Sequence, residues 1–336
     1  MTIVKTLRIL PEQNGKGLTP RELRCAKSAY TSLRYEKSVI LSHSEDTDNP
    51  DFILLATPGI PRALHQNAIR SNAKIIGNIG ETLRQYDHVT LLPEGATIHC
   101  YTTHDGVLIT AQYLPPLQAC RELDLSTVLN AASGPVEALA SELQNVSNMR
   151  GAWHFQIGNG GLTINVMPWP DPVHTQLFCA LGINWYALMI FEAMGKPVSI
   201  LRPRFSGTAT VNAGGLTKLY TPFKQAYLDL DDTLIVHDAV NPHVMKFLLA
   251  CNKKKVEVHL ITRHFQNPSI TLNHYGIDSQ LFASIIWITN GTPKSAHINP
   301  TNAIFIDDSF QERKEIIKSL KVPSLPPEAC GTLQSR

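Results

Sequence analysis

Acidic side chains are concentrated in the stretch "AYLDLDDTLI", residues 226–235, directly after an apolar run. Asp229, Asp231 and Asp232 stand in this stretch, and the chain turns apolar again at Leu234. Carboxylates at the end of a buried strand are costly unless a positive partner offsets their charge. The stretch therefore predicts a cation beside the strand end.

Other polar residues follow predicted strands in the last third of the chain. Four strand-like segments alternate with helix-like segments: "QAYLDL", "VEVHLIT", "SIIWIT" and "NAIFIDD". This alternation predicts a parallel sheet with helices on its faces. Thr262 ends the second strand, Lys294 follows the third, and Asp307 and Asp308 end the fourth. Because functional groups lie at the carboxyl ends of such strands, we expect these residues at one rim with the first acidic cluster.

The predicted helices between the strands carry recognisable start signals. Asn241 is a good N-cap and Pro242 suits a first helical turn. Ser309, with Glu312 three residues later, forms a capping box that opens the helix "FQERKEIIKSL". A further short helix is predicted in "PSITLNHYGI".

Together these motifs resemble the haloacid-dehalogenase superfamily of phosphatases, over about residues 224–325. "DLDDT" matches DxDxT, and Thr262 in "LITRH" matches the strand-end Ser/Thr. Lys294 in "GTPKS" matches the lysine, and "IDDSFQE" matches the acidic DDxxxE motif. The resemblance implies a phosphatase domain over residues 221–336, built on a Rossmannoid parallel sheet without a cap domain.

The resemblance also implies roles for these side chains. Asp229 would attack phosphorus to form an aspartyl phosphate, which splits a hard hydrolysis into two easier steps. Asp231 would protonate the leaving oxygen and later activate water. Thr262 and Lys294 would hold the phosphoryl oxygens, because phosphoryl transfer depends mainly on positioning and charge neutralisation. Asp232 is expected to be a local turn acid.

Mg²⁺ is the implied cofactor, since it takes a few carboxylates together with substrate phosphate. Its expected ligands are Asp229, the backbone carbonyl of Asp231, and either Asp307 or Asp308. The sequence leaves open which of the last two contacts the metal and which holds Lys294.

The spacing of the motifs bears on the substrate. The intervals between Asp229 and Thr262, and between Thr262 and Lys294, have room for a helix and a strand each but not for a cap domain. Family members without caps act on large or exposed phosphate groups, or borrow a lid from another domain. Residues 1–220 could supply such a lid.

Several stretches of the first 220 residues, which together cover about residues 88–197, resemble one lobe of an ATP-grasp protein of the carbamoyl-phosphate-synthase-like kind. The resemblance implies a degenerate ATP-grasp-like domain with an α+β fold over residues 1–220. "HVTLLPEGATIHCYTTHDGVLIT" resembles the family's strand–Gly–strand hairpin. "RGAWHFQIGNGGLTINVMPWP" resembles its late antiparallel strands, and "ALGINWYALMIFEAMGKP" the helix that follows. The alternative is an unrelated α/β domain, and the strand–helix–strand pattern of residues 52–81 suits either.

Departures from the family pattern predict that this lobe is degenerate. The metal-binding Glu and Asn positions fall on Asn165 and Met167, and the following Arg position falls on Trp169. The lysine position falls on Leu10 and the hinge acid on Leu91. Thioether and alkyl side chains offer no hard oxygen ligand for Mg²⁺.

Composition excludes several other classes of function. The net charge of +2 gives no whole-chain argument for nucleic acid or membrane surface as a partner. The six cysteines show no CxxC pair, which favours reduced thiols and a cytoplasmic location. No signal peptide or membrane-spanning run is expected. The dispersed histidines show no ligand spacing, so each is expected to be an ordinary surface or core residue.

These observations predict a Mg²⁺-dependent phosphatase acting on a small phosphorylated metabolite, with the first domain as lid or scaffold. One alternative is a phosphoryl or acyl transferase that uses the same aspartate site. Another is an auxiliary subunit that completes the active site of a separate ATP-grasp or biosynthetic partner.

Overall fold

The computed structural model describes most of the chain from residue 95 onwards and four short strands before it. The described ranges are 95–116, 122–125, 128, 135–147, 149–157, 163–167, 170–201, 205–212 and 215–335. The architecture is mixed α/β, with both parallel and antiparallel sheets.

The four early strands form a parallel sheet. They are β1 (Leu7–Leu10), β2 (Ile40–Leu41), β3 (Phe52–Leu55) and β4 (Lys74–Ile76). Their order is β2-β1-β3-β4. The two strands predicted within residues 52–81 are confirmed, and the helix predicted between them lies outside the described residues.

An antiparallel sheet follows these strands. The next strands are β5 (Thr97–Thr102), β6 (Leu108–Leu114), β7 (Glu122–Asp124), β8 (Gly151–Ile157) and β9 (Thr163–Met167). Four of them pair in the order β6-β5-β8-β9, which confirms the late antiparallel strands. Gly106, at a φ of 88°, lies in the turn between β5 and β6, a backbone conformation that glycine adopts readily.

Among the described residues, three helices lie in this part of the chain. They are α1 (Pro135–Ser147), α2 (Pro172–Ala180) and α3 (Trp185–Ala193). Asp171 caps α2 by accepting a hydrogen bond from the N–H of Val173, and Asn184 caps α3. The sequence predicts α3 but not α2.

The positions that the ATP-grasp alignment singles out are spread over this region. Asn165 and Met167 lie in β9, and Leu10 ends β1. Leu91 and Trp169 lie outside the described residues.

The later strands build a five-stranded parallel sheet and a mixed sheet. These strands are β10 (Thr208–Asn212), β11 (Gly215–Thr221), β12 (Gln225–Leu228), β13 (Ile235–Val236), β14 (Ala239–Val240), β15 (Glu257–Thr262), β16 (Ser284–Trp287), β17 (Ala303–Ile306), β18 (Ser324–Leu325) and β19 (Leu333–Ser335). The parallel sheet has the order β16-β15-β12-β17-β18. Its first four strands in the chain are those predicted, and β18 is an addition. The chain leads from β12 to β15 on one side and later to β17 on the other side. A crevice is therefore expected at the carboxyl end of β12.

Three helices flank the parallel sheet: α4 (Pro242–Lys253), α5 (Pro268–His274) and α6 (Phe310–Leu320). The Asn241 side chain accepts hydrogen bonds at the start of α4, and Ser309 caps α6, as predicted. The reciprocal half of the predicted capping box does not form, because the Ser309 N–H donates to Asp307 and Glu312 pairs with Arg263. Helix α4 buries Val244, Phe247 and Leu248 against the sheet. Burying each of these apolar side chains stabilises the fold by about 1.5–3 kcal/mol.

A short hairpin follows the first acidic cluster and was not predicted. Strands β13 and β14 pair across the turn His237–Asp238, whose φ angles are 49° and 56°. Positive φ at both central residues belongs to the tight turns that suit the twist of paired strands. Asp232 also has a positive φ of 54° and lies in a turn, as predicted.

The C-terminal strand joins a sheet built mainly from the preceding segment. That sheet has the order β19-β11-β10-β7, and β19 pairs parallel to β11. The Lys254 ammonium donates to the Ser335 carbonyl over 2.7 Å, which ties this strand to α4. The division between residues 220 and 221 stays a prediction, and it falls inside β11.

Four of the six cysteines lie among the described residues, and all four are buried free thiols: Cys100, Cys179, Cys251 and Cys330. Cys25 and Cys120 lie outside the described part of the chain.

Within the described ranges, no single helix is long and apolar enough to cross a membrane. The pair Val173–Ala180 and Trp185–Ala193 passes the same test together, although the two helices are bent by 80° at their junction.

Candidate active site

The carboxyl ends of β12 and β17 bring two predicted site residues side by side. Leu228 and Ile306 are register partners at the last positions of these strands. The next backbone N–H, that of Asp229, donates to the Ile306 carbonyl over 2.9 Å. Asp307 directly follows Ile306. The parallel pairing itself therefore places Asp229 and Asp307 at the same rim.

Lys294 lies between these two carboxylates. Its Nζ is 2.6 Å from Asp229 Oδ1 and 2.6 Å from Asp307 Oδ2. The lysine begins a short 3-10 turn after β16. All three side chains are buried, and the Lys294 ammonium also lies 5.6 Å from the centre of the Phe305 ring. The lysine thus supplies the first positive partner that the acidic stretch requires.

The buried charges shift each other's pKa values. Burial raises the pKa of Asp229, and the Asp307 carboxylate adds to this effect against the opposing influence of Lys294. Burial alone would lower the pKa of Lys294, but the Asp229 and Asp307 carboxylates raise it above its usual range. The lysine therefore stays charged, and the raised pKa of Asp229 shows that Lys294 alone does not offset the cost of burying these carboxylates together.

Asp308 completes a three-carboxylate cluster. Ligand oxygens of Asp229, Asp307 and Asp308 all lie within 4.8 Å of one another. Burial, together with the Asp307 and Asp232 carboxylates, raises the pKa of Asp308 to about 6. The Thr233 hydroxyl lies 3.4 Å from Asp308 Oδ1, and the N–H of Asp308 donates to the same hydroxyl oxygen over 3.0 Å. Thr233 thus links the loop after β12 to the loop after β17.

Both oxygens of Asp307 have partners of their own. Oδ2 contacts Lys294, and Oδ1 accepts from the backbone N–H of Ser309 over 2.8 Å. The guanidinium of Arg313, on α6, donates to the backbone carbonyls of Asp307 and Asp308 over 2.7 Å each. These contacts fix the backbone that presents the two adjacent carboxylates.

Asp231 is held from the side of β15. His264 Nδ1 donates to Asp231 Oδ1 over 2.7 Å, because a carboxylate only accepts. His264 Nε2 lies 2.8 Å from the Thr271 hydroxyl on α5. The Asp231 side chain remains 52% exposed, so it is open to solvent while the histidine holds it.

Thr262, the last residue of β15, lies next to Asp231 and His264. Its hydroxyl oxygen accepts from the N–H of His264 over 3.0 Å, and it lies 3.5 Å from Asp231 Oδ2. The side chain is fully buried at the end of β15. The structure therefore gathers Asp231, Thr262 and His264 into one network beside the Lys294 cluster.

A second layer of contacts ties the loops of the rim together. Arg263 pairs with Glu312 on α6 and donates to the Thr292 carbonyl over 2.9 Å. The indole N–H of Trp287 donates to the His264 carbonyl over 2.9 Å. The rim loops after β15, β16 and β17 are thus joined by side chains.

Exposed aromatic side chains border the Asp231 side of the site. Phe265 is 84% exposed and its ring lies 4.5 Å from that of His264. Trp287 is 41% exposed. The Asp231 side of the site therefore offers exposed apolar surface next to charged groups.

The cluster fits a hard divalent cation. Asp229, Asp307 and Asp308 offer only oxygen ligands, which is the donor set that Mg²⁺ prefers. Within the described residues, these carboxylates and Asp231 outnumber the cations that contact them or their backbone, Lys294 and Arg313. A divalent cation would offset the excess negative charge.

All the residues predicted for the site lie in this rim region. Sequence reasoning gave no role to Thr233, His264 and Arg313. Thr233 is the last residue of the DxDxT match, and His264 stands two residues after Thr262, so both lay next to recognised positions. No local signal marks Arg313, because its carbonyl partners are set by the turn between β17 and α6.

Comparison with known proteins gives limited information. No family model matches the sequence, and no curated protein matches it. Among solved structures, the chain is similar to an N5-carboxyaminoimidazole synthetase from Staphylococcus aureus complexed with ADP. The identity is 9%, the TM-score is 0.39, and 62% of this chain and 82% of that chain are covered.

Two further structures are similar at the same level. One is a phosphoribosylaminoimidazole carboxylase ATPase subunit from Aquifex aeolicus, at 12% identity and a TM-score of 0.35, with 61% of this chain and 81% of that chain covered. The other is the N-terminal part of the protein BF1531 from Bacteroides fragilis, containing a phosphatase domain complexed with Mg. It shows 10% identity and a TM-score of 0.26, over 98% of this chain and 91% of that chain. At these scores the likenesses carry no argument about the function of this chain.

Proposed function

We propose that the C-terminal segment is a Mg²⁺-dependent phosphatase of the haloacid-dehalogenase type, with Asp229 as the nucleophile. The observation that carries the proposal is the position of Lys294, which joins Asp229 to Asp307 beside Asp308 at the carboxyl rim of a parallel sheet. Burying two carboxylates with a single lysine costs desolvation free energy, which a bound cation would offset. Ionisable groups that are perturbed in this way are concentrated at functional sites.

Two carboxylates divide the chemistry in this proposal. Asp229 attacks phosphorus, the bond to the leaving oxygen breaks, and Asp231 gives that oxygen its proton. Asp231 then takes a proton from the water that attacks the aspartyl phosphate, which frees Asp229 and inorganic phosphate. Their environments suit these roles, since Lys294 holds one oxygen of Asp229 and Asp231 is half exposed and held by His264.

The same contacts favour a division of labour between the adjacent aspartates. Asp307 uses one oxygen for Lys294 and the other for the Ser309 N–H, so we assign it to positioning the lysine. Asp308 is then the proposed metal ligand, with Asp229 and the Asp231 carbonyl. The cation would neutralise charge on the phosphoryl oxygens, and Thr262 and Lys294 would hold those oxygens.

The rim favours a small phosphorylated metabolite with an apolar or aromatic leaving group. The exposed faces of Phe265 and Trp287 lie beside the network that holds Asp231, the proposed proton donor. Transfer to an acceptor other than water would use the same aspartates. The His264 contact with Asp231 favours hydrolysis, because it supports a residue that can activate water.

The test is hydrolysis of p-nitrophenyl phosphate by the full chain, with and without Mg²⁺. We expect Mg²⁺-dependent turnover that falls on the order of 10⁴-fold or more in Asp229→Asn, because loss of a nucleophile removes the covalent route. Asp232→Asn is the matched control. It removes a neighbouring charge at a positive φ that asparagine tolerates, and it should change turnover less than threefold. Equal losses in the two variants would refute the assignment of Asp229.

A further inference from the structure

A second group of potential ligands lies in the N-terminal part of the described chain, where side chains of α2 contact β5. His99 stands on β5, His174 stands on α2, and Asp171 is the N-cap residue of α2. His99 Nε2 is 3.2 Å from His174 Nδ1, and that nitrogen is 2.7 Å from Asp171 Oδ2. One ligand atom from each of the three residues lies within 4.8 Å of the others.

The spacing of these atoms suits a transition metal ion. Zinc binds histidine nitrogen and carboxylate oxygen at about 2.0–2.2 Å, so tetrahedral ligand atoms stand about 3.3 Å apart. The separation of the two imidazole nitrogens is close to that value. The nitrogen–oxygen separation is shorter, as expected while a proton joins the two atoms.

Protons alone leave this cluster poorly satisfied. Asp171 Oδ2 only accepts, so the proton between it and His174 stays on His174 Nδ1. The lone pair of His99 Nε2 then points at the His174 N–H, which already donates to Asp171. His99 Nδ1 and His174 Nε2 are buried and make no hydrogen bond within the described structure. A buried polar atom without a partner costs about 1–3 kcal/mol.

Burial and aromatic packing favour the neutral form of His99. Burial lowers the pKa of His99, and the adjacent His174 lowers it further. Phe178 and Trp185 pack against the His99 ring, with ring centres 4.8 Å and 6.5 Å away. A neutral imidazole keeps a lone pair that a metal ion can take.

We propose that His99, His174 and Asp171 bind one divalent transition metal ion of the zinc class. This site is separate from the carboxylate rim, which is formed by Asp229, Asp307 and Asp308. Two nitrogens and one carboxylate oxygen select such an ion over Mg²⁺, which prefers oxygen ligands alone. Asp171 is already fixed, because its Oδ1 caps α2 through the Val173 N–H while Oδ2 faces the histidines. The cap therefore positions the carboxylate ligand before any metal arrives.

The experiment uses the full chain, stripped with a chelator and reloaded with Zn²⁺ in saturating Mg²⁺, which keeps the carboxylate rim occupied. Metal content after desalting is measured by mass spectrometry, and Co²⁺ replaces Zn²⁺ to give a visible absorption spectrum. We expect one bound Zn²⁺ per chain and a Co²⁺ spectrum that reports nitrogen ligands. A folded chain that retains no Zn²⁺ would overturn the proposal.

Variants locate the bound ion. His99→Gln and His174→Gln should each lose at least tenfold in Zn²⁺ affinity. His104→Gln, in the exposed turn between β5 and β6, should bind Zn²⁺ as the wild type does. Asp171→Asn preserves an oxygen acceptor for the helix cap, so the chain should fold while its affinity for Zn²⁺ falls at least tenfold. Unchanged Zn²⁺ binding in all three site variants would also overturn the proposal.

Discussion

The carboxylate rim of Asp229, Asp307 and Asp308 and the histidine cluster of His99, Asp171 and His174 each bring together three candidate metal ligands, but in opposite ways. At the rim, Asp229 and Asp307 follow the ends of adjacent parallel strands, so strand pairing alone brings them together. In the cluster, His99 and His174 are 75 residues apart, and they meet where side chains of helix α2 contact strand β5. The rim is half open to solvent at Asp231, whereas both histidines are buried.

This difference determines the chemistry available to each place. The rim has hard oxygen ligands, a fixed lysine and a half-exposed acid, which suit Mg²⁺ and phosphoryl transfer. The cluster has two imidazole nitrogens beside aromatic side chains, which suit a softer ion. Two sites of such different donor sets should be loaded independently, and each variant below tests one without the other.

After Asp229→Asn, Lys294→Met should have the largest combined effect on activity and stability at the rim. It leaves Asp229 and Asp307 buried without their shared cation, so phosphatase turnover should fall about 10³-fold or more and stability by about 3–5 kcal/mol. Urea unfolding and p-nitrophenyl phosphate kinetics measure both quantities. Lys253→Met, at an exposed helix end, is the control, and the Zn²⁺ content should stay at the wild-type value in both variants. A simultaneous loss of Zn²⁺ in folded Lys294→Met would mean that the two places are one site.

Asp231→Asn should slow turnover by about 10²- to 10⁴-fold, the usual contribution of a general acid or base. The asparagine keeps the side-chain shape near His264 but cannot transfer a proton. Steady-state kinetics with leaving groups of different acidity check this, because p-nitrophenolate needs less protonation than an alkoxide. If the defect is equal for both leaving groups, Asp231 does not donate the proton to the leaving oxygen.

Mg²⁺ binding at the rim should depend on pH through Asp308. Its pKa is raised to about 6 from an ordinary value of 3.8, so the metal-free fold loses this residue's contribution to stability as pH rises from about 4 through 6. A metal ligand must be deprotonated, so Mg²⁺ affinity should fall about tenfold per pH unit below about 6.

Thermal melts with and without Mg²⁺ between pH 5 and 8 measure this dependence. The increase in melting temperature on adding Mg²⁺ should be small at pH 5 and reach a plateau above pH 7. In Asp308→Asn the increase should be small at every pH. A wild-type increase that is the same at pH 5 and pH 8 would contradict the assignment of Asp308 as a ligand.

Phe265→Ala should produce the smallest effect. Removing an exposed ring beside the His264 network should raise KM for an aryl phosphate about two- to fivefold and leave kcat nearly unchanged. Leu249→Ala, another exposed apolar side chain, is the matched control. Comparison with an alkyl phosphate sharpens the test, since only the aryl substrate should lose affinity.

Much of the rim could be predicted because its signals are local. Asn241 and Ser309 are N-cap residues that mark the starts of helices. Asp229, Thr262 and Asp307 each end or directly follow a strand of recognisable composition. Parallel pairing then converts these separate positions into one edge. The hairpin β13–β14 and strand β18 escaped prediction because two-residue strands carry too little pattern to distinguish them from loops.

The histidine cluster shows the limit of that reasoning. Dispersed histidines give no ligand spacing, and the sequence predicts that His99 and His174 are ordinary core or surface residues. Their proximity depends on the packing of α2, a helix that the sequence did not predict, and on which face of β5 points toward it. Arg313 was not predicted because its partners are backbone carbonyls, which leave no signal in the sequence.

The sequence by itself determined the alternation of strands and helices in the last third and the residue types at each strand end, because periodicity and capping are local properties of the chain. Tertiary structure alone decided which oxygen faces Lys294, which histidine holds Asp231, and that His99 meets His174. Those contacts depend on side-chain direction and on packing between distant segments, and no local pattern along the chain encodes either.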